Sequence, residues 1–262
     1  MNAGAGVADR ARVLVGELEQ LVRIAARRPH LTLAEGEAGC AWSFDWSHDH
    51  VTVNPEQIRE FAPDLCRGLA LHEAAHAAVT RCDRVLSGAS IRRYHALLNV
   101  LEDIRIEVWM RSRFPGAVPW IRAYNDLLYA PMRTEPRSRS RQAQFLAGIL
   151  ELWWFGDLAP GLLPEVIAAI DEVRQPVVDA TSCQPPLEDV EDEIVSAQRA
   201  MWCCVRDRIV PVLDRLRAAD AAEGIGDVAD HELAGLVQSR GDATAPRTPV
   251  GRRLSSAAGP RG

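Results

Sequence analysis

The sequence contains no lysine, and all 30 of its basic residues are arginine. This absence excludes enzymes that form a Schiff base on a lysine and P-loop proteins, whose lysine contacts the nucleotide phosphates. The 36 acidic residues leave a net charge of −6, so the chain has no overall electrostatic attraction to nucleic acid or to anionic lipid. We therefore expect neither a nucleic-acid partner nor a membrane partner.

Long apolar runs and paired cysteine motifs are also missing. No stretch offers eighteen uncharged apolar residues in a row, and the N-terminus has no apolar segment behind a basic start. Neither a membrane span nor a signal peptide is therefore predicted. The six cysteines form no C-x-x-C pair, and we expect them to be reduced thiols. Together these features predict a cytoplasmic protein.

Apolar residues make up 47 % of the 262 residues, which is enough for one large domain or for a domain with appendages. Helical spacing predicts a first helix over 7–28, and the segments 40–46 and 50–53 predict a small β-hairpin or a pair of edge strands. Further helices are predicted over 118–129, 142–155, 163–173 and 188–219. The predicted fold class is therefore mainly α (α+β), with a small sheet and a helical second half.

Residues 72–76, H-E-A-A-H, have the H-E-x-x-H pattern inside a predicted helix that begins at 63 and runs to about 86. Residues four apart lie on one face of a helix, so His72 and His76 can bind one metal ion, and Glu73 can act on water beside it. Both histidines share their face with three apolar residues, Leu65, Leu69 and Val79. Burying two unpartnered imidazoles is costly, and a bound metal offsets that cost.

A second predicted helix, after the turn at 87–90, carries polar residues in an otherwise apolar run. In an antiparallel helical hairpin, residues at equal distances from the turn lie at equal height. His76 lies twelve residues before Gly88, and Glu102 lies twelve after Ser90, which is about 18 Å along each helix. Glu107 is similarly level with His72. An acidic third ligand is thus predicted beside the two histidines.

Two acidic residues compete for the role of third ligand. Asn99, Asp103 and Glu107 form one stripe at i, i+4 and i+8. Glu102 lies about 100° away round the helix. The stripe favours Asp103 as ligand, with Asn99 and Glu107 beside it and Glu107 holding the free nitrogen of His72. The longer reach of a glutamate favours Glu102, so both residues remain candidates.

Two imidazoles and one carboxylate are the donor set of many catalytic zinc sites, so Zn²⁺ is the expected cofactor. Glu73 is expected to take a proton from the water that attacks the scissile carbonyl and to deliver it to the leaving amine. The developing oxyanion needs one donor besides the metal. Spacing does not separate four candidates for this donor, Tyr94, His95, Arg105 and Tyr124.

The two motifs together resemble a known family. HEAAH followed by NVLEDIRIE is similar to the H-E-x-x-H and N-x-x-E-D-x-R-x-E pattern of the metallopeptidase-like domain associated with von Willebrand factor A domains, including the cobalt-chelatase accessory subunit. More distantly it resembles the gluzincins, zinc peptidases with an acidic third ligand on the following helix. The resemblance covers about residues 30–130. It implies a zincin-like fold, His72 and His76 as zinc ligands, Glu73 as base, and Glu102 or Asp103 as the acidic ligand.

The predicted organisation is a zincin-like metallopeptidase domain over 1–130, a helical extension over 131–239 and a disordered tail over 240–262. No D-x-S-x-S motif is present, so an A domain is not expected in this sequence. The expected activity is zinc-dependent hydrolysis of a peptide bond in a peptide or protein substrate. The alternative is a non-catalytic, zinc-stabilised module that docks on a partner such as an AAA+ ATPase or an A-domain protein.

Overall fold

The computed structural model describes residues 3–45, 48–134, 137–186 and 190–225. The helices of this part are α1 Ala3–Ala26, α2 Pro55–Glu60, α3 Pro63–Val79, α4 Cys82–Val85, α5 Gly88–Arg113, α6 Val118–Tyr129, α7 Arg141–Phe155, α8 Pro164–Thr181, α9 Glu191–Cys204 and α10 Val210–Ala222. The strands are β1 Thr32–Glu35, β2 Ser43–Asp45 and β3 His50–Val53. The predicted mainly α (α+β) fold class is confirmed.

The three strands form a mixed sheet with the order β1-β3-β2. The predicted hairpin is confirmed, because β2 pairs with β3 in antiparallel orientation with Asp45 opposite His50. The sequence did not predict β1, which pairs with β3 in parallel orientation. Val51 and Val53 of β3 are fully buried, and this face of the sheet packs toward α3.

Helix α3 ends earlier than predicted. The sequence predicted one helix to about residue 86, but Thr80 is extended, with φ −87° and ψ 132°, and the short helix α4 follows. The reason is tertiary, because the Thr80 hydroxyl contacts both His76 and Glu102. Helix α5 begins as predicted, with the Ser87 side chain accepting a hydrogen bond from the backbone N–H of Ser90.

Two of the later helices also differ from their predicted bounds. The predicted helix over 163–173 continues through Pro176 to Thr181, because Val177 and Ala180 are buried in the core beyond the proline. The predicted single helix over 188–219 is divided by a π-helical turn, Val205–Ile209, between α9 and α10. Burial of apolar side chains thus outweighs the hydrogen bond that a proline removes from a helix.

Helix α5 belongs to two hydrophobic cores. Its C-terminal half, with Ile106 and Met110, packs in an N-terminal core formed with α1, the sheet, α3 and α6. Its N-terminal half, with Leu97 and Leu101, packs in a C-terminal core formed with α7, α8, α9 and α10. The boundary near residue 130 stays a prediction. Helix α5 is kinked at Tyr94, where φ is −117° and ψ is 19°, and its part after the kink contributes residues to both cores.

The six cysteines are free, as predicted. Among the described residues, no helix is both long and apolar enough to cross a membrane. The predicted tail over 240–262, and the end of the predicted helical extension from 226, lie outside the described residues.

Candidate metal centre

Three side chains from α3 and α5 converge on one point, and they form the candidate metal centre. The Nε2 atoms of His72 and His76 lie 3.2 Å apart. The Oδ1 atom of Asp103 lies 3.5 Å from Nε2 of His72 and 3.3 Å from Nε2 of His76. These three residues form one of the groups that offer ligand atoms close enough to share an ion.

This triangle fits one face of a tetrahedral zinc site. With bonds of about 2.0–2.1 Å to nitrogen and oxygen, neighbouring ligand atoms around a tetrahedral zinc ion lie about 3.3–3.4 Å apart. The side chains of His72, His76 and Asp103 are 13 %, 19 % and 23 % exposed. The donor set therefore suits zinc in both chemistry and spacing, and it is not sealed from the surface.

The charges of the three side chains stabilise one another. Burial alone lowers the pKa of His72, but the hydrogen bond and charge of Asp103, with the charges of Glu73 and Glu107, raise it to about 9. Burial alone raises the pKa of Asp103, but hydrogen bonds and charge from both histidines hold it well below its usual range. The centre thus favours a positive charge between these groups, as a proton or as a metal ion.

A tyrosine and a buried carboxylate hold His72 from behind. The Tyr124 hydroxyl lies 3.0 Å from Nδ1 of His72 and donates a hydrogen bond to Oε1 of Glu107. Because the hydroxyl proton is given to Glu107, its oxygen accepts from Nδ1–H of His72, and Nε2 keeps its lone pair for a metal. Glu107 was predicted to hold the free nitrogen of His72 itself, but Tyr124 makes that contact and Glu107 accepts a hydrogen bond from Tyr124.

Glu107 has further partners at its other oxygen. Oε2 accepts hydrogen bonds from the Asn125 amide at 3.2 Å and from the Arg111 guanidinium at 3.3 Å. Burial raises the pKa of Glu107 to about 7, although Tyr124, His72 and Arg111 oppose the shift. In this setting Glu107 remains an acceptor for Tyr124 when it is ionised.

The same arrangement holds His76. The Thr80 hydroxyl lies 3.1 Å from Nδ1 of His76 and donates to Oε1 of Glu102. Its oxygen is therefore an acceptor for Nδ1–H, and Nε2 is the nitrogen that faces the centre. Each histidine thus contacts a hydroxyl group through Nδ1, and that hydroxyl donates a hydrogen bond to a buried carboxylate.

Glu102 and Asp103, the two candidates for the third ligand, occupy different positions. Asp103 reaches the Nε2 atoms, whereas Glu102 is 3 % exposed and both its oxygens accept hydrogen bonds from Arg105. Burial alone raises the pKa of Glu102, but the charge of Arg105 and its hydrogen bonds lower it. The geometry therefore favours Asp103 as ligand and places Glu102 behind His76.

Glu73 is 7 % exposed and follows His72 on α3. Its charge helps to raise the pKa of His72. Among the described residues, no hydrogen bond or ion pair uses its carboxylate. Glu73 is therefore available to act on a group bound at the centre.

Most of the predicted oxyanion donors have other partners. Tyr94 donates to Asp214 at 3.1 Å, Arg105 is fully buried in its ion pair with Glu102, and Tyr124 lies on the Nδ1 side of His72. Of the four, only His95 is exposed. Nδ1 of its ring lies 3.4 Å from the side-chain amide of Asn99. Asn99 thus contacts His95 and is not one of the three residues whose ligand atoms converge.

Sequence reasoning missed Thr80 and Gln198. Thr80 follows His76 by four residues, so helical spacing was a signal that could have found it. Gln198 lies on α9, where no local pattern connects it to the centre. Its amide donates to Oε2 of Glu102 at 3.3 Å, and its oxygen accepts from Arg105 at 3.2 Å and from the backbone N–H of Arg81 at 2.9 Å.

The chain was compared with models of known protein families, with curated proteins and with solved structures, and none of them matches it. The resemblance to metallopeptidase-like domains therefore stays a prediction from two motifs. The functional conclusion rests on the geometry of His72, His76 and Asp103.

Proposed function

We propose that this protein is a zinc-dependent peptidase whose ion is held by His72, His76 and Asp103. One observation carries the proposal: two Nε2 atoms and one carboxylate oxygen form a triangle of 3.2–3.5 Å. The Nδ1 atoms of both histidines face a hydroxyl that donates to a buried carboxylate. The three donors therefore present Nε2, Nε2 and Oδ1 to a common point, where a metal ion can replace the proton that the centre otherwise favours.

When bound, the zinc ion would lower the pKa of water and polarise a carbonyl group. The residues of the chain then move the protons. Glu73 takes a proton from the attacking water and gives it to the leaving nitrogen of the peptide bond. Tyr124 and Thr80 hold the Nδ1–H groups of the two histidines, so each imidazole would offer its Nε2 atom to the ion.

The proposed substrate is a peptide or protein, and the proposed compartment is the cytoplasm. The compartment is supported by the free state of all six cysteines, among them the fully buried Cys66. Reduced thiols persist in the cytosol and are rare in exported proteins that contain several cysteines.

The substitution Glu73→Gln tests the peptidase. We expect hydrolysis of unfolded casein by the zinc-loaded protein to fall by at least about 100-fold, because the general base is removed. The zinc content per chain should not change, since Glu73 is not one of the three ligands. The matched control is Glu60→Gln, an exposed glutamate at the end of α2, which should retain full activity. Equal activity of Glu73→Gln and the wild type contradicts the proposal.

The second candidate function is the non-catalytic, zinc-stabilised module that docks on a partner such as an AAA+ ATPase or an A-domain protein. It is favoured by the engagement of Tyr94, Arg105 and Tyr124 with partners inside the protein. In this case Glu73→Gln leaves both stability and partner binding unchanged. His76→Ala, which removes a ligand, lowers stability even though no activity is present.

A further inference from the structure

A second group of metal-binding side chains lies at the turn between β2 and β3. Asp45, His48 and His50 each offer a ligand atom, and these atoms all lie within 4.8 Å of one another. The Nδ1 atom of His48 is 2.9 Å from Oδ2 of Asp45. The ring centroids of His48 and His50 are 5.8 Å apart. We call these three residues the hairpin cluster.

The sheet brings this cluster together. Asp45 and His50 are opposite each other in the antiparallel register, and opposed residues project from the same face of a sheet. The neighbours Phe44 and Val51 are buried, so the alternation of strands directs Asp45 and His50 to the outer face. The backbone N–H of His48 donates to Oδ1 of Asp45 at 3.3 Å, which holds His48 over the same face.

The other side of the turn is held by a separate contact. Asp49 has a positive φ of 50°, and its Oδ1 atom lies 2.6 Å from the Arg28 guanidinium. Asp49 is thus paired with Arg28, which follows α1 in the chain, and its Oδ1 atom is engaged there. The turn is anchored independently of the hairpin cluster.

We propose that the hairpin cluster binds a second divalent metal ion of the zinc class. Two imidazoles and one carboxylate suit zinc, nickel or copper, whereas magnesium and calcium prefer oxygen ligands. The side chain of His48 is 72 % exposed and that of Asp45 is 34 % exposed, so solvent completes the coordination and the ion exchanges readily. The bound ion ties the turn to both strands of the hairpin.

A simple ion pair between His48 and Asp45 is the competing explanation of this contact. An ion pair needs only those two side chains, whereas a metal ion also uses His50. The variant His50→Ala therefore separates the two explanations. It leaves the contact between His48 and Asp45 intact and removes one ligand.

Equilibrium dialysis of the full chain against zinc, followed by elemental analysis, tests the proposal. We expect two zinc ions per chain in the wild type and one in His48→Ala and in His50→Ala. His30→Ala, an exposed histidine next to β1, is the control and should keep two. An excess of magnesium should not displace the second ion. Two zinc ions per chain in His50→Ala, or one in the wild type that Asp103→Ala removes, overturns the proposal.

The same measurement separates this site from the peptidase centre. If the wild type holds a single zinc ion that His50→Ala removes and Asp103→Ala retains, the hairpin cluster is a metal site and the proposed function fails. A second readout is the exchange rate of the backbone amides of β2 and β3. Zinc should slow this exchange in the wild type, and it should have no effect in Asp45→Asn, whose shape is nearly that of the wild type.

Discussion

Beside each histidine of the proposed zinc site, a hydroxyl group lies between the imidazole and a buried carboxylate. Tyr124 provides it for His72 with Glu107, and Thr80 provides it for His76. The two hydroxyls come from different elements, α6 and the end of α3, and they differ in size and acidity. Both accept a hydrogen bond from Nδ1–H, so Nε2 is the nitrogen that each histidine offers to the proposed zinc ion.

The substitution Thr80→Val is expected to weaken zinc binding by about 10–100-fold. It removes the acceptor for Nδ1–H of His76 and leaves Glu102 without one of its donors. Thr80→Ser restores the hydroxyl and should return the affinity close to that of the wild type. Competition with a chromogenic chelator measures the affinity. Wild-type affinity in Thr80→Val would show that the hydroxyl does not position His76.

Helix α10 is linked to the N-terminus of α7, because Asp220 of α10 caps that end. Asp220, near the end of α10, accepts hydrogen bonds from the backbone N–H of Arg141 at 3.0 Å and of Gln142 at 3.2 Å. It also accepts one from the Ser140 hydroxyl at 2.9 Å. The cap is therefore shared between a residue beside α7 and a carboxylate eighty positions along the chain. It satisfies N–H groups that have no partner within their own helix.

The cap gives stability that depends on pH. Burial alone raises the pKa of Asp220, but the N–H donors, the Ser140 hydroxyl and the Arg141 guanidinium lower it. A lowered folded-state pKa contributes stability above the unfolded value of 3.8, and that contribution is lost as the pH falls through the folded value. We expect Asp220→Asn to cost about 1–3 kcal/mol at pH 7, with the difference from the wild type shrinking below about pH 4.

Urea unfolding of both proteins between pH 7 and pH 3 checks this expectation. The control is Asp171→Asn, whose exposed carboxylate pairs with Arg174 one turn away, and which should change the free energy of unfolding by less than about 0.5 kcal/mol. A constant difference between Asp220→Asn and the wild type over this range contradicts the linkage.

The molecule as a whole is joined through α5, which packs in both hydrophobic cores and carries Asp103. Glu102, on the same helix, is bonded to Gln198 of α9. The centre is thus connected to the C-terminal helices by hydrogen bonds as well as by packing. A ligand that stabilises the contact between α3 and α5 should therefore stabilise both hydrophobic cores.

Removing zinc should lower the free energy of unfolding of the whole chain. At a free zinc concentration 100 times the Kd, linkage gives about 2.7 kcal/mol. Because α5 is shared, amide exchange should accelerate on chelation both in α6 and in α7. Unfolding with and without a chelator, together with hydrogen exchange, measures the effect. In Asp103→Ala, which keeps only the hairpin cluster, the chelator should not accelerate amide exchange in α6 or α7. Acceleration confined to α3 would mean that the two cores are uncoupled.

Local sequence patterns determined much of the secondary structure and the approximate position of the candidate metal centre. The spacing of His72 and His76 placed them on one face, and the count of residues from the turn placed an acidic side chain level with them. The start of α5 at Ser87 and the hairpin of β2 and β3 followed from caps and alternation. These features depend on residues a few positions apart, because helical and strand periodicity act over that range.

Only the tertiary structure decided which partners those side chains take. Asp103 rather than Glu102 faces the histidines because Arg105 is buried beside Glu102, where Gln198 reaches both of them from α9. Helix α3 ends at Val79 because the Thr80 hydroxyl contacts His76 and donates a hydrogen bond to Glu102 of α5. Strand β1 exists through its pairing with β3. Each outcome depends on groups distant in the chain, whose approach is set by packing of the cores and leaves no periodic signal in the sequence.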